Sequence, residues 1–171
     1  MSGEILNEQD FNRLINEYGT EILRLSYLYL KDYQLAEDAC QDTFLQVYKK
    51  FHNFKGDSSE KTWITRICIN ICKNYLRSSW IKSIVLNDKK LNDKAVSDKE
   101  LFNKLENNDL FKLIMDLKPK YKEIILMYYY QQFTVKEIAK ILGISESNAF
   151  TRLSRARKDL KDRKIGGMIC E

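Results

Sequence analysis

Chain breakers are scarce in this sequence, with one proline (Pro119) and six glycines in 171 residues. Little stands in the way of long helices, and the apolar residues recur at the spacing that such helices need. Phe11, Leu14, Ile15, Tyr18, Ile22, Leu25 and Tyr29 predict an amphipathic helix over residues 8–30. A second is expected from about Gln34 to Lys50, with Ala36, Cys40, Phe44, Val47 and Phe51 inward and Glu37, Asp38, Gln41, Asp42 and Gln46 outward. After a turn-rich loop, His52–Ser58, a third helix from about Glu60 to Ser78 has Trp63, Ile64, Ile67, Cys68, Ile71, Cys72, Tyr75 and Leu76 on its buried side. The pattern then dissolves into a polar stretch over 79–100, which opens with a small apolar knot (Trp80, Ile81, Ile84, Val85, Leu86). It resumes with Leu101, Phe102, Leu105, Leu110, Leu113 and Leu117; Pro119 marks a boundary, and Tyr121–Tyr130 forms a further helix. The expected fold is all-α: two small helical domains, 1–78 and 101–165, joined by a flexible linker over 79–100. The tail, 166–171, is too short to fold alone.

Residues 134–160 carry the most specific local pattern. Thr134 and Glu137 form a capping box, Ile138, Ile141 and Leu142 supply an apolar face, and Gly143 provides a left-handed helix end. Ser145 can cap a following helix whose inward positions are Ala149, Leu153, Ala156 and Leu160. Two short capped helices joined by a glycine turn make a helix-turn-helix, the unit that places its second helix in a DNA major groove. The side chains left over from packing are Ser145, Glu146, Ser147, Asn148, Phe150, Thr151, Arg152, Ser154 and Arg155. Asn can read adenine, Arg guanine and Phe a thymine methyl. Arg157, Lys158, Lys161, Arg163 and Lys164 follow, placed for phosphates or for solvent. By itself this unit fits an ordinary regulator of duplex DNA equally well.

Charge is unevenly distributed. Residues 1–50 hold nine acidic and five basic side chains, whereas 51–100 hold six and ten, and 101–171 nine and fourteen. An acidic first third followed by a basic remainder points to a protein partner for the one and phosphates for the other. On the third helix Arg66, Asn70, Lys73 and Arg77 fall on one polar, basic stripe next to the aromatic-bearing loop. The four cysteines have no framework spacing; Cys68 and Cys72 are expected in the core, and a reducing cytoplasm follows. No nucleophile–base pairing, glycine-rich phosphate loop or metal-ligand cluster is present, so neither catalysis nor a cofactor is expected. No apolar run reaches the ~18 residues that a membrane-spanning helix needs.

Residues 36–77 resemble region 2 of the extracytoplasmic-function sigma factors of bacteria. The resemblance rests on Ala36-Glu37-Asp38, Gln41-Asp42-Thr43-Phe44, Phe54-Lys55-Gly56, Thr62-Trp63-Ile64, and Arg66-Ile67 with Asn70. Residues 110–160 resemble region 4 of the same family through Leu117, Pro119, Glu123, Glu137-Ile138-Ala139, Leu142-Gly143-Ile144-Ser145, Arg152-Leu153 and Arg155-Ala156-Arg157. One departure is Ser147-Asn148-Ala149-Phe150, where the family often has Gly-Thr-Val-Lys; a −35 sequence preference therefore does not transfer. The length of 171 residues fits the minimal form of the family.

The resemblance implies an alternative sigma factor, not an enzyme, that directs core RNA polymerase to particular promoters. It implies that Glu37, Asp38, Gln41, Asp42, Phe44 and Leu45 dock on the polymerase, whose beta-prime clamp helices and beta flap are the expected partners. It assigns the −10 element to His52, Asn53, Phe54, Lys55, Ser58, Lys61, Thr62, Trp63, Arg66, Asn70, Lys73 and Arg77. Within that set the loop takes up an extruded base of the non-template strand and the basic stripe holds the backbone. The helix-turn-helix is assigned to the −35 duplex. A cognate anti-sigma factor, often membrane-anchored, is a further implied partner, and the free chain is expected to be a cytoplasmic monomer.

Overall fold

The computed structural model describes residues 6–78 and 108–169, with side chains as far as Lys164. The linker expected over 79–100, the residues Trp80–Leu86, the positions Leu101, Phe102 and Leu105, and Cys170 lie outside the described residues. All regular structure among the described residues is helical, in two compact units.

In the first unit, α1 (Glu8–Leu30), α2 (Tyr33–Lys50) and α3 (Glu60–Arg77) pack pairwise as a three-helix bundle, with a single 3₁₀ turn at Phe51–Asn53. Each helix starts on a side-chain cap: Asn7 accepts from the Asp10 amide at 2.7 Å, Asp32 from Leu35 at 2.8 Å and Ser59 from Thr62 at 3.1 Å. Lys31, in the left-handed region at φ 59°, closes α1 by donating to the Tyr27 carbonyl at 2.8 Å. With Asp32 already capping α2, the α1–α2 connection needs only two residues.

Leu14, Leu25, Ala36, Val47, Ile64, Cys68 and Cys72 are fully buried, and both core cysteines are free thiols, as their placement on the apolar face predicts. Helix α3 packs on both α1 and α2, so its buried arc is wider than one stripe. Thr62, Thr65 and Ile69 are buried with it, while Ile67 and Ile71, expected inside, are only half-buried. Two hydroxyls drawn into this core are satisfied: Ser26 donates to the Ile22 carbonyl at 2.9 Å and Thr43 to Ala39 at 2.7 Å; the buried Nε of Arg24 has no hydrogen-bond partner among the described residues. At the rim, Arg13 of α1 clamps Glu60, the first residue of α3, through two hydrogen bonds of 2.8 and 3.0 Å. The hydrogen bonds from Arg13 hold the Glu60 carboxyl below its usual value of 4.5.

The second unit contains α4 (Asp109–Met115), α5 (Pro119–Ile125), α6 (Val135–Leu142) and α7 (Glu146–Ile169). Pro119 is the first residue of α5, where its missing amide costs nothing. At Leu126–Tyr130 the helix widens into a π turn, closed by the Gln131 amide on the Leu126 carbonyl at 3.1 Å. The expected helix Tyr121–Tyr130 is thus two conformations end to end, and the wider turn leaves Leu126 and Met127 both buried. The expectation that Leu110 faces inward is wrong: it is 52% exposed. Helix α4 starts from the Asn108 cap; Phe111 and Ile114 occupy its buried positions, and Leu117 is buried as expected. Helix α7 continues through the expected tail as far as Ile169.

Gly143 has φ 66°, and a Cβ added there would meet nothing within 4 Å. Gly143→Ala should therefore destabilise the second unit only by the left-handed backbone penalty, about 1–2 kcal/mol, read by urea denaturation. A second expectation follows from the depressed Glu60 carboxyl. Its contribution is present above pH ~4.5 and is lost as pH falls through the lower folded value. Arg13→Gln should lower stability by up to about 1 kcal/mol at neutral pH, and the two denaturation curves should converge once the pH has fallen below the lowered folded value. A gap of constant size down to that pH would show that the pair contributes no acid sensitivity.

Candidate protein and nucleic-acid interfaces

On α2 the inward arc is taken by Ala36, Ala39, Thr43 and Val47. The ridge opposite is Asp38, Gln41, Leu45 and Tyr48, at helical spacing and all exposed, Leu45 by 53%. The face expected to be acidic is therefore acidic and polar at its N-terminal end and apolar at its C-terminal end. Tyr48, which the pattern left unassigned, packs edge-on against Phe11 of α1 at 5.2 Å. Beside the ridge lies an apolar groove of about 620 Å³ between α1 and α2, lined by Phe11, Ile15, Gly19, Leu23, Phe44 and Leu45 among others.

Two members of the expected docking set have internal duties. Phe44 is buried, so its ring forms the floor of the groove rather than a projecting contact. Asp42 accepts a 2.7 Å hydrogen bond from the Tyr75 hydroxyl of α3, which ties the two helices together. Burial and this bond to Asp42 push the Tyr75 phenol above its usual range. Glu37 is half-buried, and Asp38 and Gln41 are the exposed polar members.

The loop between α2 and α3 is held by three rings. Phe54 lies 5.1 Å from Trp63 and 5.8 Å from Phe51, and Phe51 is 6.1 Å from Trp63. The Phe54 amide also closes the 3₁₀ turn on the Phe51 carbonyl at 2.8 Å, and Gly56 takes φ 74° to bring the chain back towards α3. Phe54, expected as a free stacking surface, is half-buried in this cluster and anchors the loop. His52, Asn53 and Lys55 are exposed around it, and Ser58 is half-buried.

Along α3, Arg66, Asn70 and Arg77 form the predicted stripe, exposed and unpaired among the described residues, starting one turn beyond Trp63. Lys73 on the same stripe is half-buried. Thr62 and Lys61 do not belong to the available surface. Thr62 is buried, with its amide on the Ser59 hydroxyl and its own hydroxyl 2.9 Å from that oxygen; Lys61 is paired with Glu21 at 2.9 Å. Both positions were legible as polar residues at a helix start, but their partners sit elsewhere in space, Glu21 on another helix.

The helix-turn-helix forms as its residues predict. Thr134 and Glu137 complete the capping box, with the Thr134 amide on the Glu137 carboxylate at 2.8 Å and the Glu137 amide on the Thr134 hydroxyl at 3.3 Å. Ser145, two residues after Gly143, accepts from the Asn148 amide at 3.1 Å and so caps the start of α7. Ala149, Leu153 and Ala156 are buried, and α7 packs on α5 and α6. The opposite face exposes Ser147, Phe150, Ser154, Arg155 and Lys158, with Ser145, Glu146 and Asn148 at its N-terminal end; Thr151 and Arg152 are half-buried.

Several of its cations have partners within the fold, two of them at the local i, i+4 spacing of a helix and one distant in sequence. Arg152 donates to the Asn148 side-chain oxygen at 2.9 Å, and Arg163 pairs with Asp159 at 2.8 Å. Arg157 donates to the Tyr129 hydroxyl at 2.9 Å, and its guanidinium lies 5.1 Å from the Tyr128 ring and 5.6 Å from that of Tyr129. Arg155, Lys158 and Lys161 remain exposed and unpaired among the described residues. In the described residues no group of three or more His, Cys, Asp or Glu side chains can hold a metal ion, and no helix is long and apolar enough to cross a membrane.

These surfaces belong to sequences with known relatives. Residues 14–81 match the family model of sigma-70 region 2, and residues 108–160 match that of sigma-70, region 4. The ECF RNA polymerase sigma factor SigM of Bacillus subtilis (strain 168) is 30% identical over 145 residues, 84% of this chain and 88% of that protein. SigX of the same organism is 26% identical over 161 residues, 90% of this chain and 83% of that protein. Two solved structures share the fold. The sigma factor RpoE in complex with the anti-sigma factor NepR from Bartonella quintana has a TM-score of 0.70 at 21% identity, covering 90% of this chain and 96% of that one. CnrH in complex with the cytosolic domain of CnrY has a TM-score of 0.68 at 18% identity, covering 94% and 90%. With both family models matched in order and SigM similar along most of its length, the chain belongs to the ECF RNA polymerase sigma factors.

Proposed function

We propose that this sigma factor divides promoter recognition among three separate surfaces. The α2 ridge, with Asp38, Gln41, Leu45 and Tyr48, and the groove beside it dock on the beta-prime clamp helices of core RNA polymerase. The exposed part of the His52–Ser58 loop takes up a base of the opened −10 strand, while Arg66, Asn70 and Arg77 hold the strand's phosphates. Helix α7 enters the −35 duplex, and the second unit meets the beta flap. The observation that carries this reading is the segregation of surface chemistry. The α2 ridge pairs acidic and apolar side chains, which suits a protein and repels a polyanion. Exposed cations without a partner among the described residues line α3 (Arg66, Arg77) and α7 (Arg155, Lys158, Lys161), and on α2 they are confined to its last turn (Lys49, Lys50), away from Asp38 and Gln41.

In this reading the chain works in the cytoplasm without a cofactor and catalyses nothing itself; the chemistry is the polymerase's. Both structural neighbours are bound to another protein, an anti-sigma factor by name in the case of RpoE. We extend that mode of control to this chain, with a membrane-anchored inhibitor as the form it takes. Outside its complexes the chain is a monomer.

Transcription in vitro with purified core polymerase on a promoter library tests the whole assignment. Promoter-specific transcripts that depend on the added chain are expected; stable core binding without them would overturn it. Asp38→Lys combined with Gln41→Lys, which leaves the Asp42–Tyr75 bond intact, should weaken core binding roughly ten- to hundredfold. Transcription should recover when the variant is added in excess. An unchanged affinity would remove the ridge from the interface.

A further inference from the structure

We infer that Phe150 is a specificity-determining residue, whose ring packs against the 5-methyl group of a thymine in the promoter duplex. The inference rests on the reading that α7 enters that duplex. Phe150 is 63% exposed, the most exposed large apolar side chain among the described residues. No aromatic ring among the described residues stacks on it, so the free protein forfeits the burial that a phenyl ring normally gains. Its neighbours on the same face, Ser147 one turn back and Ser154 one turn on, are short and exposed, which leaves the ring standing above the helix surface. It lies in the second turn after the Ser145 cap, within the N-terminal part of a recognition helix that reaches base edges.

The chemistry then narrows the target. A phenyl ring has no donor or acceptor, so it serves neither a phosphate nor the polar edge of a base. The apolar feature presented by the major groove is the thymine methyl. The occupant is a polyanion rather than an apolar protein surface, because Arg155, Lys158 and Lys161 extend unpaired along the same helix. Asn148 does not compete for this apolar role. Its side-chain oxygen accepts from Arg152, and any contact it makes with a base is a polar one, distinct from an apolar contact of the Phe150 ring.

The test uses holoenzyme reconstituted from core polymerase and the full chain. It first selects bound sequences from a random duplex library. Each thymine of the selected −35 region is then replaced singly by deoxyuridine, which removes the methyl and nothing else. Wild type should lose about three- to fivefold in affinity at one thymine, the value of one buried methyl-sized group. Phe150→Ala should be indifferent to deoxyuridine at that thymine while keeping its response at all other positions. Selection of a defined −35 sequence with no deoxyuridine effect, or the same effect in both proteins, would overturn the inference and leave the reading of α7 standing. Absence of any selected −35 sequence would overturn both.

Discussion

Two small helical units have little apolar surface to spare. At roughly 60–70 residues a unit buries only about 60% of the surface its unfolded chain exposes. The inward stripe of each helix is therefore consumed by its neighbours. On α2 it goes to Ala36, Ala39, Thr43 and Val47, on α3 to Ile64, Cys68 and Cys72, and on α7 to Ala149, Leu153 and Ala156. Under that constraint a large apolar side chain left in water stands out. Leu45 projects from the α2 ridge, and Phe150 projects from α7. Each sits on the outward side of a helix whose inward side is fully packed, so a repacking of the core cannot bury it. Only a partner can.

The same economy governs charge. Sequence counting credits every Lys and Arg of the basic two thirds to phosphates, but the fold spends several on itself. Lys61 goes to Glu21, Arg152 to Asn148, Arg157 to Tyr128 and Tyr129, and Arg163 to Asp159. What remains outward is smaller, and on the two helices assigned to DNA it comes to Arg66 and Arg77 on α3, and Arg155, Lys158, Lys161 and Lys164 on α7. Since each neutralised phosphate contributes close to one unit to the salt dependence of binding, the unpaired side chains set that slope rather than the net charge of +5.

Helix number, helix ends and the turn of the helix-turn-helix were legible because they are coded locally. The Thr134–Glu137 box, Gly143 and Ser145 act within a few residues of one another. Of the expected inward positions, Leu14, Ile22 and Leu25 on α1 and Ala36, Phe44 and Val47 on α2 are buried, while Ile15 is exposed and Cys40 half-buried. Legibility failed where the cause lay at a distance in sequence. Ile69 is buried because α3 touches two helices rather than one, and Thr62 because the Ser59 cap folds back on it. Leu110 is outside because the Asn108 cap sets the phase of α4, a signal present in the sequence but weaker than the run of leucines around it. Phe54 was read as a free ring because its proximity to Trp63 depends on the chain reversing at Gly56. Surface position follows the same rule: the exposure of Asp38, Gln41, Arg66 and Asn70 follows from local spacing, and the internal bonds of Asp42, Lys61 and Arg157 do not.

Those internal bonds bear on how the surfaces work. A free arginine carries about 2 kcal/mol of rotamer entropy that a complex must otherwise overcome. Arg152, braced by Asn148 one turn earlier, has lost part of that freedom before any duplex arrives, and Arg157 has lost more of it between two tyrosine rings. Arg155, Lys158 and Lys161 have not. Helix α7 thus combines a braced frame with mobile cations, and the uncharged Phe150 projects from that frame with only two torsions to fix. Sequence discrimination needs a rigid reader, because a contact that can shift by an ångström accepts the wrong base; phosphate attraction tolerates mobility, because it acts over a Debye length. Under the proposed reading of α7, the division between braced and unbraced side chains on one helix parallels the division between specifying and positioning contacts.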